Sequence, residues 1–265
     1  MKEKTNGETI YLGEISREEI NRVSSFFDQS WAVTKLGLGV LIRCESGRRT
    51  WQIADGDAIV RVIGGECNFQ GTYLLSYQFV VNCRPFYLRN ERVRFSIVDQ
   101  EITSTSDSGM FKMRCKHVDT VFQSIDQRQV ITAQLHAHRL YQIVDTTTYL
   151  QRDMPGLVIL ADPEMEHSPT TTTTSITVDQ DSIMLHTAWT EYGLDDVTAT
   201  VTAKTTGKGT ISVLTRTLNR MRMAIGLLDN PEFTVSFDPY LGDFVVFSTS
   251  SLSVAIRRTP TTIHV

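Results

Sequence analysis

The residues that could do chemistry are sparse and poorly spaced. His136 and His138 are two apart, so on one helix their side chains would diverge by about 200° and could not share a metal. His117, His167 and His186 have no Cys or carboxylate partners at ligand spacing. Asp162, Glu164 and Glu166 are close in sequence and read as a hydrated acidic loop rather than a cation site. The four cysteines (Cys44, Cys67, Cys83, Cys115) lie in the first half without a CxxC, the pattern of scattered thiols in a reducing compartment. No GxSxG, HExxH or GxxxxGK[ST] occurs, and no nucleophile, base and orienting group assemble. The reading is therefore a non-enzyme, with no metal and no cofactor. The basic residues carry more information: 19 are Arg and 7 are Lys. The planar guanidinium donates two parallel hydrogen bonds and suits phosphate better than a lysine does. A net charge of −4 argues against coating nucleic acid over the whole surface and leaves room for a local basic face.

With 265 residues, 41% hydrophobic and 21% charged, the composition is that of a soluble globular protein. The length suits two domains of roughly 130 residues or one large β domain. No apolar run approaches the roughly 18 residues of a membrane helix, and the polar start, Met1 to Thr9, is unlike a secretory signal.

The elements that would position the arginines form a repeat. An amphipathic segment, Ser16 to Gln29, opens the first half; Ser16 and Glu19 make a capping box, and Ile20, Val23, Ser24 and Phe27 share a face. Strands follow at Gly39–Glu45 and Thr50–Ala54, joined by a turn Ser46-Gly47-Arg48-Arg49, then at Ala58–Ile63 and Gly71–Leu75. A short helix, Ser76–Arg84, is stopped by Pro85, and strands Val93–Val98, Glu101–Ser106 and Gly109–Lys116 complete the half. The second half retraces this order: strand Val130–Leu135, helix His136–Tyr149 with Leu140, Ile143, Val144 and Thr147 on one side, and hairpin Ser175–Asp179 with Ser182–Ala188. Then come strands Val197–Ala203 and Gly209–Leu214, helix Thr215–Leu228, and strands Phe233–Phe237, Phe244–Thr249 and Leu252–Arg257. An insertion, Arg152–Thr174, carries the tract Thr170–Thr174, read as a mobile exposed loop; a polar linker, Lys116–Gln129, joins the halves. Strict alternation with two helices per half implies antiparallel sheets covered by helices on one face, an α+β fold.

Several stretches carry a resemblance. Ile15-Ser16-Arg17-Glu18-Glu19-Ile20 opens a helix, and Gly39-Val40-Leu41-Ile42-Arg43 follows as a strand. Trp51-Gln52-Ile53-Ala54-Asp55-Gly56 stands where β-clamp domains carry an Ala-Thr-Asp-Gly turn, lacking the Thr; the second half has Thr187-Ala188-Trp189 there. Over residues 10–258 the order of elements resembles the DNA sliding clamp family, the polymerase processivity factors that include the bacterial β-clamp and proliferating cell nuclear antigen. The resemblance implies two tandem clamp domains, 1–117 and 130–265, joined by a connector, 118–129. Each would have two helices on an inner face. Six such domains close a ring, so two per chain imply a homotrimer.

The same resemblance implies the sites. Helices lining the ring would hold duplex DNA by its phosphates, without reading bases, through Arg22, Arg84, Arg89, Arg139, Arg216 and Arg220. On the last helix Leu214, Leu218, Met221, Ile225 and Leu228 form the buried stripe, with Arg216 and Arg220 opposite and Arg222 at the flank. Polymerase and clamp-loader peptides would dock at Val121, Phe122, Ile125, Pro260 and Ile263. Subunits would pair strand edges, Met110, Lys112 and Arg114 on one side and Val197, Ala199 and Val201 on the other, with Asp195 and Asp196 beside the second. The implied function is a cytoplasmic DNA polymerase sliding clamp, with a nuclear location left open. The alternatives are a two-domain β-rich binding or structural module without DNA affinity, and a monomeric open clamp-like processivity factor; mass in solution separates them.

Overall fold

The computed structural model describes residues 9–25, 39–54, 56–83, 92–106, 109–119, 125, 130–153, 172–188, 195–226, 228 and 231–259. The chain divides into two units. Unit 1 is built from residues 1–53, 60–123 and 250–252; unit 2 takes 54–59, 124–249 and 253–265.

Unit 1 runs β1 (Ile10–Ser16), α1 (Arg17–Ser25), β2 (Gly39–Glu45), β3 (Arg48–Ala54), β4 (Ala58–Glu66), β5 (Thr72–Ser76), α2 (Tyr77–Cys83), β6 (Arg92–Val98), β7 (Glu101–Ser106) and β8 (Gly109–Val118). Antiparallel pairing gives two four-strand arrays, β1-β6-β7-β8 and β5-β2-β3-β4. Strand β8 joins them: residues 109–114 pair with β7 and 115–118 with β5. Two hairpins close on two residues with positive φ, Ser46 and Gly47 (52° and 75°) and Asp99 and Gln100 (49° and 64°). Turns of this hand match the right-handed twist of the strands they join. Helices α1 and α2 pack on one another, α1 against β1 and α2 against β5 and β8. The core contains Leu12, Ile20, Val23, Val40, Ile42, Trp51, Phe79 and Phe95, all at most 1% exposed.

Unit 2 runs β9 (Ile131–His136), α3 (Ala137–Asp153), β10 (Thr173–Asp179), β11 (Ser182–Thr187), β12 (Val197–Thr202), β13 (Lys204–Thr206), β14 (Gly209–Leu214), α4 (Thr215–Ile225), β15 (Glu232–Phe237), β16 (Phe244–Ser248) and β17 (Leu252–Arg257). Its arrays are β12-β11-β10-β14 and β17-β16-β15-β9-β13. A bridge from Arg258, just past β17, to Val213 of β14 joins them as β8 joins those of unit 1. Helix α3 lies over β12 and β11, α4 over β14 and β10, and the two helices pack together. Apart from the three-residue β13, the two units therefore repeat one plan of strand, helix, four strands, helix and three strands.

The structure departs from the expected elements in several places, including the added strand β13, the end of β5 at Ser76 and the extension of α3 to Asp153. A strand, β1, precedes the first helix where no range was assigned. Ser46 and Gly47 alone make the first turn, so Arg48 and Arg49 belong to β3. His136 ends a strand and His138 stands in the helix after it; the bend brings their rings face to face, centroids 6.1 Å apart at 19°, rather than diverging as on one helix. The threonine tract is not wholly an exposed loop: Thr173 and Thr174 begin β10, and Thr174 is fully buried. Its hydroxyl bonds those of Thr187 (2.7 Å) and Thr215 (2.9 Å), and Thr172 accepts the Thr215 amide at the start of α4. Threonine suits this place because a β-branched polar residue can line a strand and cap a helix at once.

Candidate nucleic-acid and partner interface

In unit 2 the sequence TRTLNRMRMAI forms α4, with Leu218, Met221 and Ile225 turned inward and at most 2% exposed. Leu214 and Leu228 lie beyond its ends and are half-buried. The helix carries three arginines and no acid, but they do different work. Arg222 is buried rather than at a flank. Its guanidinium donates to Asp145 Oδ1 (2.8 Å), the Tyr141 hydroxyl (3.3 Å) and Asn219 Oδ1 (3.2 Å), clamping α4 to α3. Arg216 is half-buried and donates to Asp57 Oδ2 at 2.8 Å, and Asp57 in turn accepts the Arg257 amide. Arg220 is partly exposed on the same helix. Arg139, in the first turn of α3, is exposed and donates to Thr202 Oγ1 at 3.3 Å; His138, Gln142 and Tyr149 are exposed on α3 with it.

In unit 1 the helices are less basic than expected. Arg22 pairs with Glu18 one turn before it and donates to Ser251 Oγ at 2.8 Å. Helix α2 is uncharged, and Arg84 and Arg89 lie outside the described residues. In unit 2, by comparison, Arg139 is exposed on α3, and Arg216 and Arg220 are partly exposed on α4.

Among the predicted interface residues, β12 is the last strand of its array, with Val197, Ala199 and Val201 on one face and Thr198, Thr200 and Thr202 exposed on the other. Strand β8 is not a plain edge strand, because β7 and β5 share its length. Residues 109–114 have β7 as their registered partner. Met110, Lys112 and Arg114 are exposed there, Met110 at 58%. Alternation sets Lys112, Arg114 and Lys116 along one side of a cleft of about 730 Å³, with Glu101 3.9 Å from Lys112. Asp196, expected beside a partner's cations, lies 3.4 Å from His186 Nε2 within its own unit.

Of the predicted peptide-docking residues, only Ile125 is described. It packs on the unit 2 cluster Ile59, Val246 and Ala255 with Ala54 and Phe244, so the connector seats at least this residue on its own sheet. Val121, Phe122, Pro260 and Ile263 lie outside the described residues. The structure adds two residues missed in the sequence. Tyr240 and Leu241, in the turn between β15 and β16, are 84% and 81% exposed. Their amides are held by Asp238 Oδ1 (2.9 and 3.0 Å), Gly242 N donates to Asp238 O, and Arg258 donates to Pro239 O at 3.0 Å. A Cβ on Gly242 would stand 2.7 Å from that Asp238 oxygen. An Asp-Pro start marks a turn, but nothing in the sequence alone tells that its two large apolar residues point outward.

A buried ionic cluster in unit 1 was also unforeseen. Arg49, 0% exposed, donates through Nε and Nη2 to both oxygens of Glu19 (2.7 and 2.8 Å) and through Nη1 and Nη2 to the carbonyls of Leu12 and Glu14. Glu19 also accepts the Trp51 indole (2.6 Å) and the Gly65 amide (3.0 Å). The capping box is therefore half made: Ser16 Oγ accepts the Glu19 amide at 3.1 Å, while the Glu19 carboxylate turns inward to Arg49. Glycine at 64 leaves room for it, since a Cβ there would lie 2.0 Å from Glu19 Oε1. Among the described residues no group of three or more His, Cys, Asp or Glu could hold a metal. No described helix is long and apolar enough to cross a membrane.

This repeated architecture has known counterparts. The fold, mostly antiparallel sheet with few helices, is that of the DNA polymerase III beta sliding clamps. It aligns with the beta subunit of Thermotoga maritima with a TM-score of 0.74 at 13% identity, covering 94% of this chain and 64% of that one. The Bacillus subtilis sliding clamp aligns at 0.71 and 14%, covering 98% and 66%. The Streptococcus pneumoniae beta chain aligns at 0.69 and 15%, covering 95% and 65%. The chain thus spans about two thirds of the length of these proteins. No family model matches the sequence, and no curated protein does either.

Proposed function

We propose that this chain is a DNA polymerase processivity clamp: a non-enzymatic cytoplasmic protein, three copies of which close a ring of six clamp units around duplex DNA. The observation that carries the reading is the duplication itself. Two units repeat one two-array, two-helix plan, and together they match two thirds of proteins that bear the clamp fold. A clamp needs confinement rather than grip, which raises the local concentration of a tethered polymerase. Helices that offer a few separate, replaceable phosphate contacts meet that need, and the exposed Arg139 with the partly exposed Arg220 are the candidates in unit 2. Strand β12 of one copy would pair with residues 109–114 of the next, bringing Lys112 and Arg114 near Asp195. Ion pairs of this exposed kind contribute about 0–1 kcal/mol each, so apolar burial around Met110 has to supply most of the association. Polymerase and loader peptides would dock beside Ile125, with Val121, Phe122, Pro260 and Ile263 as implied by the clamp resemblance and Tyr240 with Leu241 as outward anchors.

The test joins solution mass to polymerase stimulation. A trimer that raises processivity on circular primed DNA, and that loses this with Arg139→Glu plus Arg220→Glu while remaining a trimer, is the expected result. Each phosphate contact removed should lower the slope of log affinity against log salt by about 0.9. A monomer without DNA affinity would overturn the proposal in favour of a β-rich binding module, and a monomer that still stimulates would replace the ring with an open clamp.

A further inference from the structure

We infer that Cys44 and Cys67 form a reversible disulfide, an oxidation site in unit 1 driven by a small-molecule disulfide of the glutathione class. The inference is independent of the ring reading. Cys44 stands near the end of β2, and Cys67 follows β4, two strands away in the order β2-β3-β4. Sequence separation alone gives no reason for them to meet. The tertiary path does: beyond β4 the chain folds back over the β2–β3 turn, where the Cys67 amide donates to Gly47 O at 3.0 Å. Cys44 Sγ then donates to the Cys67 carbonyl at 3.1 Å, which sets the Cys44 thiol against residue 67. Cys83 and Cys115, by contrast, are buried in the core.

The pair is also reachable. Both cysteines are half-buried, and Cys67 lines an open cleft of about 820 Å³ with Ser46, Gly47, Arg48, Glu66 and Asn68. Arg48 is exposed in that cleft and offers a cation to the carboxylates of a glutathione-like oxidant. The exchange proceeds in two steps. Cys44 loses its proton and attacks one sulfur of oxidised glutathione; that S–S bond breaks, and one glutathione leaves as a thiol. The Cys67 sulfur then attacks the Cys44 sulfur of the mixed disulfide and expels the second glutathione. Two cysteine thiols are oxidised by two electrons, and one glutathione disulfide is reduced to two thiols. The order follows from the surroundings. Burial, with the Cys44 contact added, pushes the Cys67 thiol up to about 12, so Cys67 is the weaker first attacker. Once Cys44 is capped, that contact is gone, while Arg49 continues to favour the Cys67 thiolate.

The experiment treats the full-length folded chain with oxidised glutathione at neutral pH and maps peptides after alkylation. The expected product is two hydrogens lighter, joins the Cys44 and Cys67 peptides, leaves Cys83 and Cys115 as thiols, and reverts with dithiothreitol. Cys67→Ser should trap glutathione on Cys44, and Cys44→Ser should leave Cys67 unmodified. Retention of glutathione on the wild-type chain without a cross-link, a cross-link through Cys83 or Cys115, or no reaction at all would each overturn the inference. Should either variant fail to fold, the wild-type peptide map decides alone.

Discussion

Replacing Glu19 by alanine should open unit 1 while leaving unit 2 intact. The Arg49 guanidinium is fully buried, and the Glu19 side chain is 6% exposed, so neither ion has water to fall back on. Removing the carboxylate strands a buried cation, a loss of about 3–5 kcal/mol. It also takes the acceptor from the Trp51 indole and the Gly65 amide, each worth about 1–3 kcal/mol when left unsatisfied. Water entering the vacated space would recover part of the second contribution, so a loss of at least about 3 kcal/mol is expected. A domain opens fully for about 5–15 kcal/mol, which makes this a large fraction of the unit's stability. With two units a single unfolding free energy is poorly defined, so amide hydrogen exchange is the suitable assay. Protection of Gly65 and of β3 should drop by two orders of magnitude or more, while β10 and β11 stay unchanged. Two controls separate charge from packing. Glu19→Leu with Arg49→Met should cost less than Glu19→Ala alone, because no buried charge remains. Gly64→Ala should destabilise the wild type, where its Cβ would meet Glu19 Oε1 at 2.0 Å, and do far less in the Glu19→Ala background. Loss of less than about 1 kcal/mol in Glu19→Ala, or equal protection loss in both units, would refute the assignment of a buried ion pair as the clasp of unit 1.

Other expectations follow from single contacts. Thr174→Val should cost about 1–3 kcal/mol in unit 2, because it leaves the Thr187 and Thr215 hydroxyls short of a buried partner; chemical denaturation against Thr174→Ser checks it. Burial raises the Cys83 thiol from 9.0 to about 12 and Cys115 to about 11. The folded state therefore holds these protons longer than the unfolded chain, so the thiols' contribution to stability is complete below pH 9 and falls as pH rises from there through 11 to 12. Urea titrations across that range should show the decline, and Cys83→Ala should flatten it. Tyr240→Ala with Leu241→Ala should leave the melting curve unchanged, since both side chains are more than 80% exposed, yet abolish capture of polymerase peptides; unchanged capture removes this turn from the docking surface.

Much of the architecture was written locally. Alternating runs such as Ile176, Val178, Ile183 and Leu185 can bury one face only as strands, and the Leu140, Ile143, Val144, Thr147 spacing can do so only as a helix. Fifteen of the seventeen described strands, all but β1 and β13, and the order of nearly all the elements follow from that periodicity, and so does the repeat, because periodicity needs no knowledge of distant residues. The polar faces were legible as well: His138, Arg139 and Gln142 are exposed as the helical spacing requires.

What periodicity could not supply was the partner of each polar group. Arg49 reads as a turn residue beside Gly47, and Glu19 as half of a cap, until the fold places them 30 positions apart in sequence and 2.7 Å apart in space. On a helical wheel Arg216 and Arg220 share the polar face with Arg222 at its flank, but the wheel does not show that Asp57 and Asp145, brought in by other segments, hold Arg216 and Arg222. Cys44 and Cys67 meet only because the chain after β4 returns over a hairpin turn. The sequence by itself determined which residues face inward, since hydrophobic burial follows from spacing along one element. Only the tertiary structure decided which charges are spent on one another, because Coulomb attraction and hydrogen bonding act over a few ångströms between segments that spacing alone cannot bring together.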